Sequence, residues 1–466
     1  SCPIPGHGTT KVTAITIKLL SLSFKIIIRA MEFIDREREL KLLDEIRQRS
    51  EKSARMTVIT GRRRTGKTTL ITKACEGKSF LYFFVVRKNE ILLCQEFVEE
   101  ITLALGVNVL GEFNSFARLF EYLLDLSRTD PFTLVIDEFQ EFSHVNKSVY
   151  GEIQRLWDKY KQTARMNLVL CGSVFSMMQR IFENEKEPLF GRADERINLR
   201  PFGVDVIKQL ISRLYPEFRR EDLLAFYTIT GGAAKYTEIF CDRERFTFPL
   251  MLEEIFRDNS LLIDEGRNVQ IEEFGRDHGI YFSILSLIAS SKTSRPEIES
   301  ILRKDTGGYL DRLENEYMLI RSIRPVLSRP GGRIQKYAVD DNFLSFWFRF
   351  IYKYRSAVEI GNYKYIQQIV ERDFDTYSGI FLEKYFREKL ALEGKYNIIG
   401  SYWEKGNRNE IDIVAINELN RKALIAEVKK RKDRFRPEVL KEKATYLIAR
   451  LDGYNIEYRS YSLEDM

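Results

Sequence analysis

Two groups of residues in this chain have the types and the spacing for chemistry on phosphates. The first is Gly61-Arg62-Arg63-Arg64-Thr65-Gly66-Lys67-Thr68, followed by Thr69. Residues 56–60 before it are apolar and β-branched, and residues 67–74 after it can form a helix. A glycine-bounded loop between strand and helix turns successive backbone N–H groups toward anionic oxygens, and the helix N-terminus adds partial positive charge. Lys67 is expected to reach the β- and γ-phosphates, and Thr68 to set its hydroxyl on Mg²⁺. Residues 61–69 are therefore candidate ligands for ATP.

The run 132–136 ends in Asp137-Glu138, about 70 residues further on by the spacing usual for such sites. A carboxylate at a strand tip can hold Mg²⁺ through water, which is the role expected of Asp137. Glu138 beside it can orient and polarise the attacking water. Another buried strand, 167–172, exits at Ser173, where a sensor of the γ-phosphate would lie. Arg192, after Phe190-Gly191, is a candidate for stabilising the transition state, in cis or from a neighbouring subunit, with Arg196 as its rival.

The second group lies near the C-terminus. Residues 410–416 and 424–429 read as two strands joined by the polar connection 417–420. A turn centred between Leu419 and Asn420 sets Asp412 opposite Glu427, with Cβ atoms about 5 Å apart. Facing carboxylates on apolar strands call for a cation, and Mg²⁺ suits an all-oxygen pair. Lys429 shares a face with Glu427 and can position or deprotonate a water for attack on a phosphodiester. Glu383, inside a helical pattern over 377–390, completes the cluster. Six cations in 429–436 then suit a phosphate backbone. The competing reading is a solvated hairpin face followed by a charged loop.

These sites need scaffolds. The chain has 466 residues, enough for several domains, with 44% hydrophobic residues and a net charge of +6 that permits nucleic acid without requiring it. Five scattered cysteines argue against a disulfide framework or a zinc site and fit a reducing cytosol. No apolar run approaches the ~20 residues that span a bilayer. Residues 1–30 read as an upstream-translated or disordered extension, with Met31 the natural start; the alternation of Ile15, Ile17 and Leu19 supports an edge strand instead. Asp35 is placed to cap a helix over 36–49, and 80–86 reads as a strand buried on both faces. Helices over 204–215, 221–230 and 233–242 form a lid, the last starting at Gly231-Gly232 with N–H groups that could face the nucleotide. Helices over 278–289, 295–303 and 309–317, with strands 318–323 and 335–339 around a Gly331-Gly332 tip, outline a winged helix. Arg303, Lys304, Arg312, Arg321, Arg329 and Arg333 give it a basic face, for DNA or for packing. Residues 340–354 carry seven aromatics at helical spacing, as a core does.

From Met31 onward the chain resembles a prokaryotic, mainly archaeal, family of P-loop ATPases close to the AAA+ and STAND groups. The resemblance rests on Phe33-Ile34-Asp35-Arg36-Glu37, the 61–68 loop, 135–140, Cys171-Gly172-Ser173, Phe190-Gly191-Arg192 and the Gly231-Gly232 turn, where Ala234 stands in place of the family's proline. The segment 337–348 looks like the junction to the family's usual C-terminal domain, which is similar to PD-(D/E)xK nucleases. Asp412, Glu427 and Lys429 match that motif by position. The resemblance implies an α/β fold: an extension (1–30), a P-loop ATPase core (31–202), a helical lid (203–275), a winged helix (276–340) and a nuclease-like α/β domain (341–466). ATP and Mg²⁺ are the implied cofactors, DNA the expected macromolecular partner, the cytoplasm the expected location, and an oligomer is compatible. The rival readings are a non-cleaving STAND-like regulator and a ring-forming remodelling ATPase.

Overall fold

The computed structural model describes residues 35–274, 278–329, 331–332 and 334–466. The readings of 1–30, of Met31 and of Phe33-Ile34 in the opening motif, and those of Pro330 and Arg333, lie outside the described residues.

Five strands form a parallel sheet: β1 (Arg55–Thr60), β2 (Phe80–Phe84), β3 (Phe132–Asp137), β4 (Met166–Gly172) and β5 (Glu195–Asn198), in the order β2-β3-β4-β1-β5. Successive side chains of a strand point to opposite faces. On β3, Val135 packs with Leu70 and Ile71 of the helix Lys67–Cys75. Leu134 and Ile136 pack on the other face with Phe116, Leu119 and Phe120 of the helix Phe116–Leu126. Apolar cover on both faces explains why β3 and β4 are buried along their whole length.

Two local expectations fail. Among the described residues β2 is an edge strand, flanked by β3 alone, and Phe84 is 51% exposed, so it is not buried on both faces. The first helix among the described residues runs Glu37–Ser50 with Arg36 at its N-cap and no side-chain cap bond, while Asp35 lies at φ 54°. Asp35 stands one position too early to cap it.

The lid helices form as Val204–Leu214, Arg220–Thr230 and Ala234–Asp242, followed by two helices not read from the sequence, Phe248–Ile255 and Leu261–Phe274. Helices His278–Ala289, Arg295–Leu302 and Gly307–Asn315 come next, with the antiparallel pair β6 (Ile320–Ile323) and β7 (Lys336–Val339). After the helices Tyr363–Tyr377 and Gly379–Leu392 comes a second sheet. It holds β8 (Ile398–Glu404), β9 (Arg408–Asn417), β10 (Lys422–Val428) and β11 (Asn455–Tyr461), in the order β11-β10-β9-β8. β8, β9 and β10 are antiparallel neighbours, and β11 returns parallel to β10 after the helices Pro437–Lys443 and Thr445–Ala449. Among the described residues, no helix is long and apolar enough to cross a membrane.

One hydrophobic core joins the helices from Val204 onward to the helices Tyr363–Tyr377 and Gly379–Leu392, one face of β9 and β10, and Met466, while a smaller one packs the helices Pro437–Lys443 and Thr445–Ala449 on the other face of β9 and β10. The centre of the larger core is the aromatic stretch, where Phe343, Phe346, Trp347, Phe348 and Phe350 are buried as their spacing suggested. Phe343 packs on Tyr236 with ring centres 4.3 Å apart, and Tyr227 meets Tyr385 edge-on at 5.5 Å. The hairpin after β6 leans on the second sheet: the Val326 N–H donates to the Ser401 carbonyl at 2.9 Å, and Lys336 pairs with Glu410 at 2.7 Å. A core shared in this way melts as a unit. Phe343→Ala should cost about 3–5 kcal/mol. Hydrogen exchange in denaturant should show the helices Arg220–Thr230 and Gly379–Leu392 losing protection at one concentration; two well-separated losses would contradict a shared core.

Candidate functional site

The sheet register aligns the strand tips. Thr60 lies opposite Gly172 on one side and Asn198 on the other, so the loop after β1, Ser173 and Leu199 leave the sheet at one edge. The crowding there selects glycine. A Cβ on Gly61, whose φ is 155°, would lie 2.5 Å from the Leu199 carbonyl oxygen. Gly66 takes a left-handed conformation, φ 88°, and opens the helix Lys67–Cys75. Lys67 is buried, and its ammonium donates to the carbonyls of Gly61 at 2.7 Å and Arg62 at 3.0 Å. Burial lowers its pKa, against the opposing influence of Cys171, Glu138 and Asp137. The Thr65 hydroxyl closes the loop by donating to the Arg62 carbonyl at 2.8 Å. Thr68 and Thr69 occupy the first turn of the helix.

Asp137 and Glu138 stand at the tip of β3. One oxygen of Asp137 accepts the Glu138 N–H at 2.8 Å and the Cys171 thiol at 2.9 Å; the other accepts the Tyr82 hydroxyl. Tyr82, on β2, also touches Thr68, so one phenol contacts both residues expected to hold a cation. A hydroxyl on a helix turn and a carboxylate fixed at a strand tip form an all-oxygen donor pair of the kind Mg²⁺ prefers. Glu138 sits at φ 52°, in the left-handed region where non-glycine residues are strained. Its Oε2 accepts the Ser173 hydroxyl at 2.9 Å and the Gln140 amide. Ser173 stands beside the loop, with its hydroxyl given to Glu138. Cys171 and Gln140 stood in the motifs that carry the resemblance but without these roles, and Tyr82 gave no sign, because Tyr82 and Cys171 act on Asp137 across strands that are distant in the chain.

The loop arginines turn away from the cradle. Arg64 makes a two-pronged pair with Glu265, at 2.6 and 2.8 Å, and Arg62 reaches Asp340 at 3.5 Å. Arg63 lines the cleft between the loop and residues 316–319. The helix starting at Ala234 meets the loop, where its Lys235 N–H, expected to face the nucleotide, donates to the Arg64 carbonyl at 3.1 Å. Arg192 is not brought to the loop. It precedes β5 at the opposite edge of the sheet, where Asp194 bonds the Met56 backbone at the start of β1, and it pairs with Asp158 at 3.1 Å. In a parallel sheet the start of β5 cannot meet the loop that follows the end of β1, so a role in cis is ruled out. Arg196 pairs with Glu183 at 3.1 Å.

The C-terminal residues do come together. The pairing of β9 with β10 runs to Ala426 opposite Ile413, and the next residues in that register are Glu427 and Asp412, in line with the turn arithmetic. Asp412 accepts the Val428 N–H at 2.8 Å and lies 3.6 Å from Lys429. Glu427 is bracketed by two ammonium groups, Lys429 and Lys443, the second from the helix Pro437–Lys443 and not foreseen. Burial alone would raise the pKa of Glu427, yet these lysines hold it below the ordinary value. Glu383 packs behind, where Arg387 bridges it at 3.3 Å to the Asp412 carbonyl at 2.7 Å. Burial and the nearby Asp412 push its pKa up to about 7. Among the described residues no group of three or more His, Cys, Asp and Glu is gathered as a metal site. The cationic run is partly committed: Lys430 binds Asp375 at 2.7 Å and Arg431 binds Asp433 at 2.9 Å.

Residues 33–240 match a family described as an ATPase domain predominantly from Archaea, and residues 347–445 match a family described as "Archaea bacterial proteins of unknown function". An uncharacterized protein of Methanocaldococcus jannaschii is 29% identical over 408 residues, covering 85% of this chain and 87% of its own length. Among solved structures, a Walker-type ATPase of Pyrococcus abyssi superposes with a TM-score of 0.54 at 16% identity, over 68% of this chain and 96% of its own. The ORC2 protein of Aeropyrum pernix gives 0.48 at 15% identity, over 73% and 96%. With the parallel sheet and the glycine loop at its edge, residues 33–240 are thus similar to a P-loop ATPase domain of the predominantly archaeal kind, in agreement with the fold shared with the Pyrococcus abyssi ATPase, and residues 347–445 are similar to the second family.

Proposed function

We propose that the chain binds Mg-ATP in the loop 61–69 and hydrolyses it slowly. The observation that carries this reading is the loop itself, with Lys67 buried at its mouth and Asp137-Glu138 on a strand tip at the same sheet edge. Mg²⁺, held by Thr68 and by Asp137, would neutralise charge on the β- and γ-phosphates. Lys67 exchanges its two carbonyl partners for phosphate oxygens. Glu138 orients the attacking water and accepts its proton, while Ser173 and Gln140 fix its carboxylate. Lys67→Ala should abolish ATP binding by calorimetry. Glu138→Gln should retain binding within a few-fold and lose turnover; unchanged turnover would remove Glu138 from the mechanism.

The second half of the proposal concerns DNA. Residues 276–340 act as a winged helix with exposed Arg303, Lys304 and Arg312, and residues 341–466 as a PD-(D/E)xK-like domain. Support comes from Asp412, Glu427 and Lys429 converging on β9 and β10, with Glu383 on the helix before them. The order of helix, three antiparallel strands, helices and a parallel strand is consistent with it. A divalent ion held by Asp412 and Glu427 would polarise a phosphodiester, and Lys429 would position the attacking water. A specific observation favours the alternative of a non-cleaving regulator: Glu427 is already neutralised by Lys429 and Lys443. Incubation of DNA with Mg²⁺ or Mn²⁺ separates the two. Under the nuclease reading Lys429→Ala loses cleavage and keeps DNA binding, whereas DNA left intact by the native chain favours the regulator.

Glu383 adds a pH signature. Its folded pKa of about 7 exceeds the ordinary 4.5, so the folded chain holds the extra proton between these values, and stability falls as pH rises through that window. Glu383→Gln should therefore melt at the native temperature near pH 4.5 and several degrees higher at pH 8. An equal melting difference at both pH values would show that Glu383 does not carry the shift.

A further inference from the structure

The arginines of the phosphate loop are joined to carboxylates from the second half of the chain. Arg64 lies at φ 72°, and its guanidinium meets Glu265 with both prongs. Glu265 is buried and also accepts the Tyr236 hydroxyl at 3.2 Å. Its helix, Leu261–Phe274, is locked to the aromatic core: Trp347 donates to the Ile263 carbonyl at 2.6 Å, and a Cβ on Gly266 would strike the Trp347 ring. Two residues earlier in the loop, Arg62 reaches Asp340 at 3.5 Å. Arg321 approaches the same carboxylate at 3.6 Å, and the Asp340 N–H is tied to the Leu319 carbonyl at 2.9 Å. Between these two pairs, Arg62, Arg63, Arg64 and Ser173 face Tyr317, Met318 and Asp341 across one cleft.

The planar fork of an arginine is best matched by an oxyanion that presents two oxygens to it, either carboxylate or phosphate. A loop built for a triphosphate thus spends two of its cations on carboxylates that belong to the helical layer. Those carboxylates also add negative charge beside an anion site, which opposes nucleotide entry. We infer that Arg62–Asp340 and Arg64–Glu265 form a latch that closes the helical layer over the phosphate loop, and that a nucleoside triphosphate opens it by taking the arginines. Coupling of this kind is reciprocal: whatever nucleotide does to the latch, the latch does to nucleotide affinity. The inference rests on the ATP-binding reading of the loop and goes beyond it by naming the element that senses occupancy. Only the ends of the latch lie near the loop; the lever is rigid because Glu265 and Asp340 both sit on the shared aromatic core.

The test uses the full-length chain, with Asp340→Asn, Glu265→Gln and the double variant. Calorimetric titration with Mg-ATP should give a dissociation constant about tenfold lower for the double variant than for the native chain, as removal of two facing charges implies. Hydrogen exchange at 316–319 should rise on adding Mg-ATP to the native chain and be high in the double variant without nucleotide. Should the double variant melt prematurely, Asp340→Asn alone, whose carboxyl is partly exposed, should still tighten binding by a few-fold. Native-like affinity in the variants together with unchanged exchange at 316–319 would overturn the latch while leaving ATP binding intact. A native chain that binds no nucleotide would overturn both.

Discussion

A buried ammonium group must be surrounded by oxygen, and the front half of this chain is arranged around that requirement. Lys67 lies beneath its own loop, where burial disfavours its charge and the Gly61 and Arg62 carbonyls compensate. For those carbonyls to point inward, the backbone must turn where Leu199 and Ala234 crowd it, and only glycine fits at 61 and 66. The parallel register of β1, β4 and β5 creates that crowding by ending three strands at one level. The same edge carries the tip of β3, so acid and base arrive beside the lysine without any long side chain having to reach them.

The second carboxylate cluster solves a similar problem by the opposite means. Asp412 and Glu427 face each other across two buried strands, where like charges cost free energy. Two lysines supply the compensation for Glu427, a backbone N–H supplies part of it for Asp412, and Glu383 is driven toward its neutral form. The cluster is thus balanced by cations of the chain itself. A metal ion entering it competes with ammonium groups, which sets this site apart from a cage of free carboxylates.

Between the two clusters runs a continuous apolar core, and this changes what the modules can do independently. The helix Gly379–Leu392 carries Glu383 toward the carboxylate pair and Lys384 toward Asn342, at 2.7 Å, in the segment that also bears Asp340. Lys384, Arg62 and Arg321 all hold Asp340 below the ordinary carboxylate range, against the upward push of burial. The segment after Asp340 is therefore tied by contacts to the helix that borders the second cluster.

What the residues alone determined is whatever depends on neighbours in the chain. Glycine spacing around Lys67, the acidic tip after an apolar run, and the hairpin that sets Asp412 against Glu427 were legible because each is a local geometry of strand, turn or helix start. The aromatic stretch was legible as core for the same reason. Contacts between distant segments were decided only in three dimensions: the edge position of β2, the placement of Arg192 at the far end of the sheet, Tyr82 reaching Asp137, Lys443 on Glu427, and the loop arginines on Glu265 and Asp340. The strands β8 and β11 went unread as well, since their half-exposed, mixed polar sequences become strands only by pairing with β9 and β10. Charged side chains show their charge in the sequence but not their partner. That choice is made by folding, which fixes which opposite charge is near and how much water is left between them.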